Sequence, residues 1–485
     1  HPWPRARGPH AGHGATNLTA PADLARRAWA WHPREHRFHD VVLGGPLVDD
    51  ELNFYVAAND GIFKVGPDGT TVWVFRPPGQ VCDCPSLMNG VLFGTDALGH
   101  AFAVDLAAGE ALWMRRHTES NGQDTAYVEN YDGVVVYEAE PALHGGGGHR
   151  VMGLNATNGD IMWQYRPSSP VWNIMPLFPG DGTVVFSDID ARVYRLGLHN
   201  GTLVWAAGGN HTGQQTWTDG GCMLGPNGAV YAASSKAHVL SHTPTAGGGV
   251  HAYRLADGGL LWERQLRRPF FTFPVAGRLA GQERLSVVVA VGSNAFLPWK
   301  LMLCVVAAHC LPCAWLLACV QSCCKRGGRG GLARRCGRCS LGALALALAL
   351  TALYAGRMPT FEAEVLALDA ETGEQQWEYR LPSWPHVSAA GDSEGLLPRL
   401  ALLTHRPACL PAAFSSPGID GRGTVYIGYH SGRILGLRDN DGDGVVSEGE
   451  VVSFDAEAAF LHSGPAFAPG LFAFTTCDSL HVWRA

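Results

Sequence analysis

Charge is what this sequence is short of. Charged residues fill only 16% of its 485 positions, too few for helix bundles, whose exposed faces need Glu, Lys and Arg in quantity. The small surplus is acidic, with a net charge of −7. That argues against a nucleic-acid partner, because phosphate neutralisation needs a basic face. A legible disulfide framework is missing too. Of the 13 cysteines, eight crowd into one segment (Cys304, Cys310, Cys313, Cys319, Cys323, Cys324, Cys336, Cys339). The remaining five, Cys82, Cys84, Cys222, Cys409 and Cys477, are scattered, and an odd number cannot all pair among themselves. The chain opens on His1 rather than Met. It is therefore read as a fragment or a processed form in which any signal peptide is invisible.

Glycine is abundant, at 61 residues. Low charge with high glycine suits many short strands joined by tight turns. The length fits two or three ordinary domains or one large repeat-built domain. The repeat is marked by tryptophan. In "GPDGTTVWVFRP", "LAAGEALWMRR", "NATNGDIMWQYRP", "GLHNGTLVWAA", "RLADGGLLWERQL" and "LDAETGEQQWEYRLP" a Gly sits four residues before a Trp. The pairs are Gly69/Trp73, Gly109/Trp113, Gly159/Trp163, Gly201/Trp205, Gly258/Trp262 and Gly373/Trp377. Asn-Gly, Asp-Gly and Thr-Gly supply the positive-φ residue of a tight hairpin turn. The strand before each turn alternates apolar residues, and the Trp after it is large enough to wedge between neighbouring sheets.

Earlier strand signals such as "GVLFGT", "TVVFSD", "AVYAAS", "LSVVVAVG" and "TVYIGY" precede these hairpins. Each unit is thus three or four antiparallel strands in about 40 residues, the period of a propeller blade. "ARRAWAWHP" near the start offers Trp29 in the place Trp163 takes in "IMWQYRP", while residues 463–483 carry early strands but no final Trp strand. The two ends are expected to complete one blade, which closes the ring and removes its free edge. The fold class expected is all-β: an eight-bladed β-propeller closed by N- and C-terminal strands in one blade, with a hydrophobic insertion in blade 6. "EGEVVSF", ending at Phe454, closes the degenerate seventh member. The expected organisation is a disordered segment 1–20, propeller over 21–296, an insertion over 297–357 and propeller again over 358–485.

The "ALDAxTGxxxW" units, as in "LALDAETGEQQW", resemble the repeat of the pyrroloquinoline quinone (PQQ) propeller superfamily. The resemblance covers nearly the whole chain outside 1–20 and about 297–357. It implies the fold. It leaves function open, because the superfamily includes quinone-dependent alcohol dehydrogenases and also cofactor-free binding scaffolds such as the bacterial outer-membrane assembly lipoprotein.

"DNDGDGVVSEGE", residues 439–450, has the ligand spacing of an EF-hand loop. Asp439, Asp441 and Asp443 stand at positions 1, 3 and 5, and Gly444 at position 6, where the chain turns sharply. Val445 offers a backbone carbonyl, Ser447 a water-mediated contact and Glu450 a bidentate carboxylate. Val446 fills the apolar position 8. The flanks read as strands, so the expectation is Ca2+ held as a structural clip on a β-blade rather than a helical sensor. The plainer reading is an Asp/Gly-rich surface turn without an ion.

Residues 297–357 break the repeat. "LMLCVVAAHCLPCAWLLACV" (301–320) is long enough to span a bilayer, and "LGALALALALTALYA" (341–355) is marginal. A basic linker with Lys325, Arg326, Arg329, Arg334, Arg335 and Arg338 lies between them. Together they read as a transmembrane hairpin with a cytoplasmic loop, which puts the propeller on the lumenal or outer side. The sequons at Asn17, Asn155, Asn200 and Asn210 agree with that side and with a glycoprotein. A translated intron explains the segment equally well. Zinc at the C-x2-C pairs Cys310/Cys313 and Cys336/Cys339 is the weaker reading, since the first pair lies inside the apolar run.

A quinoprotein dehydrogenase needs a planar cofactor in the channel, a calcium beside it held by inward acids, and an Asp base. No such set is evident. Asp219 in "QTWTDGGCMLG" reads as a turn residue, Cys82 and Cys84 stand too close for an unstrained disulfide, and His32, His36 and His39 read as solvated or core histidines. No catalytic residue is assigned. The preferred function is a calcium-clipped, membrane-associated propeller that binds a protein or glycan ligand on one face. The alternative is a PQQ-dependent alcohol dehydrogenase.

Overall fold

The structure, a computed structural model, describes residues 1–9, 14–33, 42–81, 83–121, 126–141, 148–209, 222–236, 247–270, 272–293, 361–385, 389–390, 413–461 and 464–485. Strand propensity and burial agree along the chain. Middle strands such as Ala229–Ser235 and Ala363–Asp369 are buried at every position, because each is covered on both faces by neighbouring sheets. Outer strands alternate instead. Leu260–Leu266 exposes Leu260 and Leu261 and buries Trp262.

Eight antiparallel sheets follow one another along the chain, at 42–75, 86–116, 129–165, 183–208, 222–266, 275–380, 418–455 and 466–484. Seven contain four strands and the fourth blade contains three. In the eighth sheet the outer strand is Trp29–Trp31, paired with Leu480–Arg484 in the register Trp29–Val482, Ala30–His481 and Trp31–Leu480. The eight-bladed, all-β architecture and its closure by the two chain ends are therefore as the repeat implied. A further two-stranded parallel sheet joins Asp83–Cys84 to Ala126–Tyr127.

The core is a set of clusters at the seams between blades. One joins Tyr231, Trp262, Leu366 and Leu368 across the fifth and sixth blades, and another joins Val136, Trp163, Val184 and Tyr194 across the third and fourth. Each seam is keyed by the indole. Trp73, Trp113, Trp163, Trp205 and Trp262 donate Nε1–H to the carbonyls of Leu106, Ala156, Leu198, Leu255 and Ala370 in the next blade, at 2.6–3.0 Å. Trp29 does the same to Pro67, at 3.1 Å. The Gly of the next turn lies under the ring. A Cβ on Gly109 would come within 2.7 Å of Trp73, and one on Gly373 within 2.7 Å of Trp262. The Gly-to-Trp spacing thus encodes two contacts, a positive-φ turn and a flat seat for the preceding blade's tryptophan.

The turn is longer than a two-residue hairpin. Gly109, Gly159, Gly201, Gly258 and Gly373 donate N–H to the carbonyl four residues back, and a register shift follows in the outer strand. The extra residue twists the outer strand locally, as bulges do.

Topology puts two kinds of connection on opposite faces. The turns between the first and second strands and between the third and fourth lie on one face and are short, apart from 438–450. The connections between second and third strands, and those leading to the next blade, lie on the other face. Among the described residues they include 166–176. In blade 6 the second and third strands end at Gly292 and begin at Ala363. Leu285–Gly292 pairs directly with Ala363–Asp369, so the chain leaves and rejoins the sheet between neighbouring strands. The insertion itself, with both apolar runs and its eight cysteines, lies outside the described residues. Among the described residues, no helix is long and apolar enough to cross a membrane.

The described residues of 1–20 are packed, where disorder was expected. The described part, 1–9 and 14–20, packs along the inner strands. Trp3 exchanges backbone bonds with Val48 of the first blade (3.2 and 2.8 Å) and sets its ring against Phe467 of the eighth. The Pro4 carbonyl accepts from Leu87 N–H of the second, at 2.9 Å. Arg5 donates to the Asn130 carbonyl of the third and lies 4.8 Å above the Phe178 ring before the fourth. Arg7 lies over Phe273, ahead of the sixth, and Gly14 and Thr16 bond to Ile419 of the seventh. The chain then passes Leu24, whose carbonyl accepts from Trp483 Nε1–H at 2.8 Å, to reach Trp29. We refer to this stretch as the belt. Its proline, glycine and charge hid the signal, but Trp3 is the residue type that needs a pocket.

Clustering of the chain separates a propeller unit (His1–Asn294, Glu362–Ser383, Ala389–Ala485) from a second unit (Ala295–Phe361, Trp384–Ser388). Of the second, Phe361 and Trp384 form an antiparallel bridge with backbone bonds of 3.0 and 2.8 Å.

Candidate functional site

The acidic loop stands between strands Arg433–Leu437 and Val451–Asp455, with a 3-10 turn at Glu448–Glu450. It therefore takes the place of the Gly turn in the seventh blade, and its mount is a β-blade, as the flanking sequence implied. Asp439 is buried, while Asp441 and Asp443 are exposed. One carboxylate oxygen from each of the three lies within 4.8 Å of the others. Like charges at that separation repel unless something offsets them. Part of the offset is local. Asp439 accepts from the N–H groups of Gly442 (2.8 Å) and Gly444 (3.2 Å), Asp441 from Asp443 N–H (3.2 Å), and Asp443 from Val445 N–H (2.7 Å). Gly442 and Gly444 have φ of +75° and +86°, which glycine adopts without strain.

Glu450 spans the loop. Its Oε1 accepts from Asn440 N–H at 2.6 Å, and its Oε2 accepts from Ser447 N–H (2.8 Å) and Oγ–H (2.9 Å). The bond from Ser447 N–H, followed by that from Asn440 N–H, holds the carboxyl below its ordinary range. Three of the expected ligands are thus gathered, and Glu450 tethers the two ends of the loop. The loop is also sewn to the sixth blade. Glu378 N–H donates to Gly444 O (3.0 Å), and Val446 N–H donates to Glu378 O (2.8 Å). Val446, at the apolar position, is buried beside them. Where other seams have an indole on a glycine, this seam adds a short parallel pairing to the buried Trp377.

The middle of the ring has a different chemistry. Arg5 pairs its Nε with Glu129 Oε2 at 3.3 Å, and both are almost wholly buried. Burial pushes the Glu129 carboxyl up to about 7 and outweighs the pull of Arg5 and Arg7. Arg7 stacks 3.5 Å over the Phe273 ring. With the belt against the inner strands, the channel contains guanidinium groups and aromatic edges. The cluster of three or more acids found among the described residues is the outer loop, far along the chain from these inner strands.

The other sequence candidates are dispersed. His32 Nδ1 lies 3.2 Å from the Asp478 carbonyl, while His36 and His39 lie outside the described residues. Asp219 and Cys82 also lie outside them. Cys84 and Cys222 are buried and outside any disulfide, and Cys477 is disulfide-bonded. The side chains of Asn155 and Asn200 accept the N–H of Thr157 (2.8 Å) and Thr202 (3.0 Å), which gives both a turn-forming role. Sequence reasoning missed Arg5, Arg7 and Glu129. The only hint was an arginine pair spaced by one residue, the period of an extended chain.

Residues 118–301 match the family described as outer membrane protein assembly factor BamB. A tetrathionate hydrolase from Acidithiobacillus ferrooxidans is 26% identical over 227 residues, which is 42% of this chain and 40% of the relative. The chain thus spans less than half of that enzyme. Among solved structures, BamB from Moraxella catarrhalis superposes with a TM-score of 0.55 at 13% identity, over 95% of this chain and 99% of its own. The quinohemoprotein alcohol dehydrogenase of Comamonas testosteroni superposes with a TM-score of 0.60 at 10% identity, over 99% of this chain and 80% of its own. One neighbour is a dehydrogenase and another an assembly factor, so the likeness extends to fold and repeat and stops there. The chain is an eight-bladed β-propeller, and over residues 118–301 it is similar to the assembly-factor family.

Proposed function

We propose that this propeller is a non-catalytic binding scaffold. It engages a protein partner through the face that carries its long connections, and it is clipped by Ca2+ at the acidic loop. The observation that carries this reading is the belt. Trp3, Arg5 and Arg7 are buried among the inner strands of successive blades, where a quinone dehydrogenase needs open space for its cofactor. The match to an assembly-factor family supports a protein ligand. Exposed apolar pairs on outer strands, such as Ile161/Met162, Leu203/Val204 and Leu260/Leu261, add sticky surface at the rim.

The calcium reading rests on the convergent carboxylates of Asp439, Asp441 and Asp443, with the Val445 carbonyl, Ser447 and Glu450 completing an oxygen set suited to a hard cation. Bound there, the ion offsets part of the loop's negative charge at the seam between blades six and seven. Membrane association through 297–357, on the outer or lumenal side, belongs to the same reading. Carbonate extraction, with the transcript sequenced across this segment, separates an anchor from a translated intron.

The catalytic claim is tested by incubating the purified protein with PQQ and Ca2+. The expected result is no bound chromophore and no dye-linked alcohol oxidation. A stoichiometric quinone spectrum with alcohol turnover overturns the scaffold reading. Calorimetry with Ca2+ alone is expected to show one site, which is abolished in Asp441→Asn/Asp443→Asn.

A further inference from the structure

Residues 3–8 form a small unit within the belt. Gly8 has a φ of +81° and donates N–H to the Arg5 carbonyl at 3.1 Å. It lies under the Trp3 ring, which a Cβ at Gly8 would approach to 2.9 Å. The unit is held to the ring by two backbone bonds between Trp3 and Val48 and one from Leu87 to the Pro4 carbonyl. Arg5 adds its contacts with Glu129 and the Asn130 carbonyl.

Two polar groups of the same unit oppose that hold. Arg7 is 3% exposed, and none of its three guanidinium nitrogens has a hydrogen-bond partner among the described residues. It stacks 3.5 Å over the Phe273 ring, a contact that returns less than burying the charge costs. Burial pulls the guanidinium down to about 9, against smaller opposing pulls from Tyr127, Cys222 and Glu129. Trp3 is 1% exposed, and its Nε1–H also has no acceptor among the described residues. Trp29, Trp73, Trp113, Trp163, Trp205 and Trp262 each donate to a carbonyl. Trp3 departs from that rule, and a buried donor left unmatched is destabilising.

We propose that residues 3–8 are a strap poised to open, letting Arg7 and Trp3 reach water while Trp29–Trp31 stays paired with Leu480–Arg484 and the ring stays closed. Opening bares Glu129, Asn130 and the inner edge of the strand Val42–Val48, all in the middle of the ring. Access to the inner strands is thus gated by a segment of the same chain.

Amide hydrogen exchange on the unaltered protein tests this. Val48 and Leu87 N–H are bonded to the strap, while the wholly buried strand Ala229–Ser235 reports global opening. Val48 and Leu87 are expected to exchange at least about a hundredfold faster than Ala229–Ser235, at a rate that low urea leaves unchanged. Arg7→Met keeps an apolar contact with Phe273 and removes the charge, so this exchange is expected to slow at least about tenfold. Exchange at Val48 and Leu87 with the rate and urea dependence of Ala229–Ser235 overturns the proposal. So does an Arg7→Met protein in which they exchange as fast as before. Should Arg7→Met fail to fold, the comparison within the unaltered protein decides alone.

Discussion

Gly109 combines a φ of +72° with a Trp73 ring 2.7 Å from where its Cβ would stand. Gly109→Ala is therefore expected to lose about 1–3 kcal/mol of stability, from backbone strain and overpacking together, measured by urea denaturation. Trp113→Phe tests the other half of the seam. It keeps much of the ring but deletes the 2.9 Å bond to the Ala156 carbonyl, and about 1–3 kcal/mol is expected for leaving that acceptor unpaired. His430 carries a pH signature. It is fully buried beside Tyr429, and burial lowers it to about 3. The unfolded chain takes up this proton below its ordinary value of about 6.5. The folded chain refuses it until near 3. Its contribution is complete above pH 6.5 and falls by up to about 1.4 kcal/mol per pH unit as the pH drops toward 3. In His430→Gln this component of the slope disappears, read as the difference between the two proteins' stability curves over that window.

At the scale of elements, the acidic loop substitutes for a turn. Replacing 439–450 by the five-residue turn of the sixth blade is expected to leave the seventh blade folded. It removes the pairing of Glu378 with Gly444 and Val446, at about 1–3 kcal/mol for the two bonds, and all stabilisation by Ca2+. Thermal melts with Ca2+ and with chelator check both. The strands and hairpins were legible because the information is local. A Gly four residues before a Trp dictates a turn, an outer strand and the side it buries, and the loop's position followed from "TVYIGY" before it and "VVSF" after it. The longer turn was not legible, since an N–H bond four residues back depends on how the outer strand must twist to place its indole. The belt was missed for a related reason. Arg5 and Arg7 are recognisable as buried only once Asn130, Phe178 and Phe273, remote in sequence, have assembled around them.

For the molecule as a whole, closure is what makes the parts cooperate. Seam clusters run from the seventh blade through the eighth and first and on to the sixth, so an opened ring would leave one apolar face bare and one sheet with a free edge. The N-terminal belt and the closing strand together tie the first, second, third, seventh and eighth blades to one short stretch. The scaffold reading requires that arrangement. Amide hydrogen exchange tests it most directly. If the ring is closed by its two ends, residues 28–31 exchange as slowly as Leu480–Arg484, through the same global opening. Rapid exchange of 28–31 beside a protected 480–484 would show an open ring, and the account would fail.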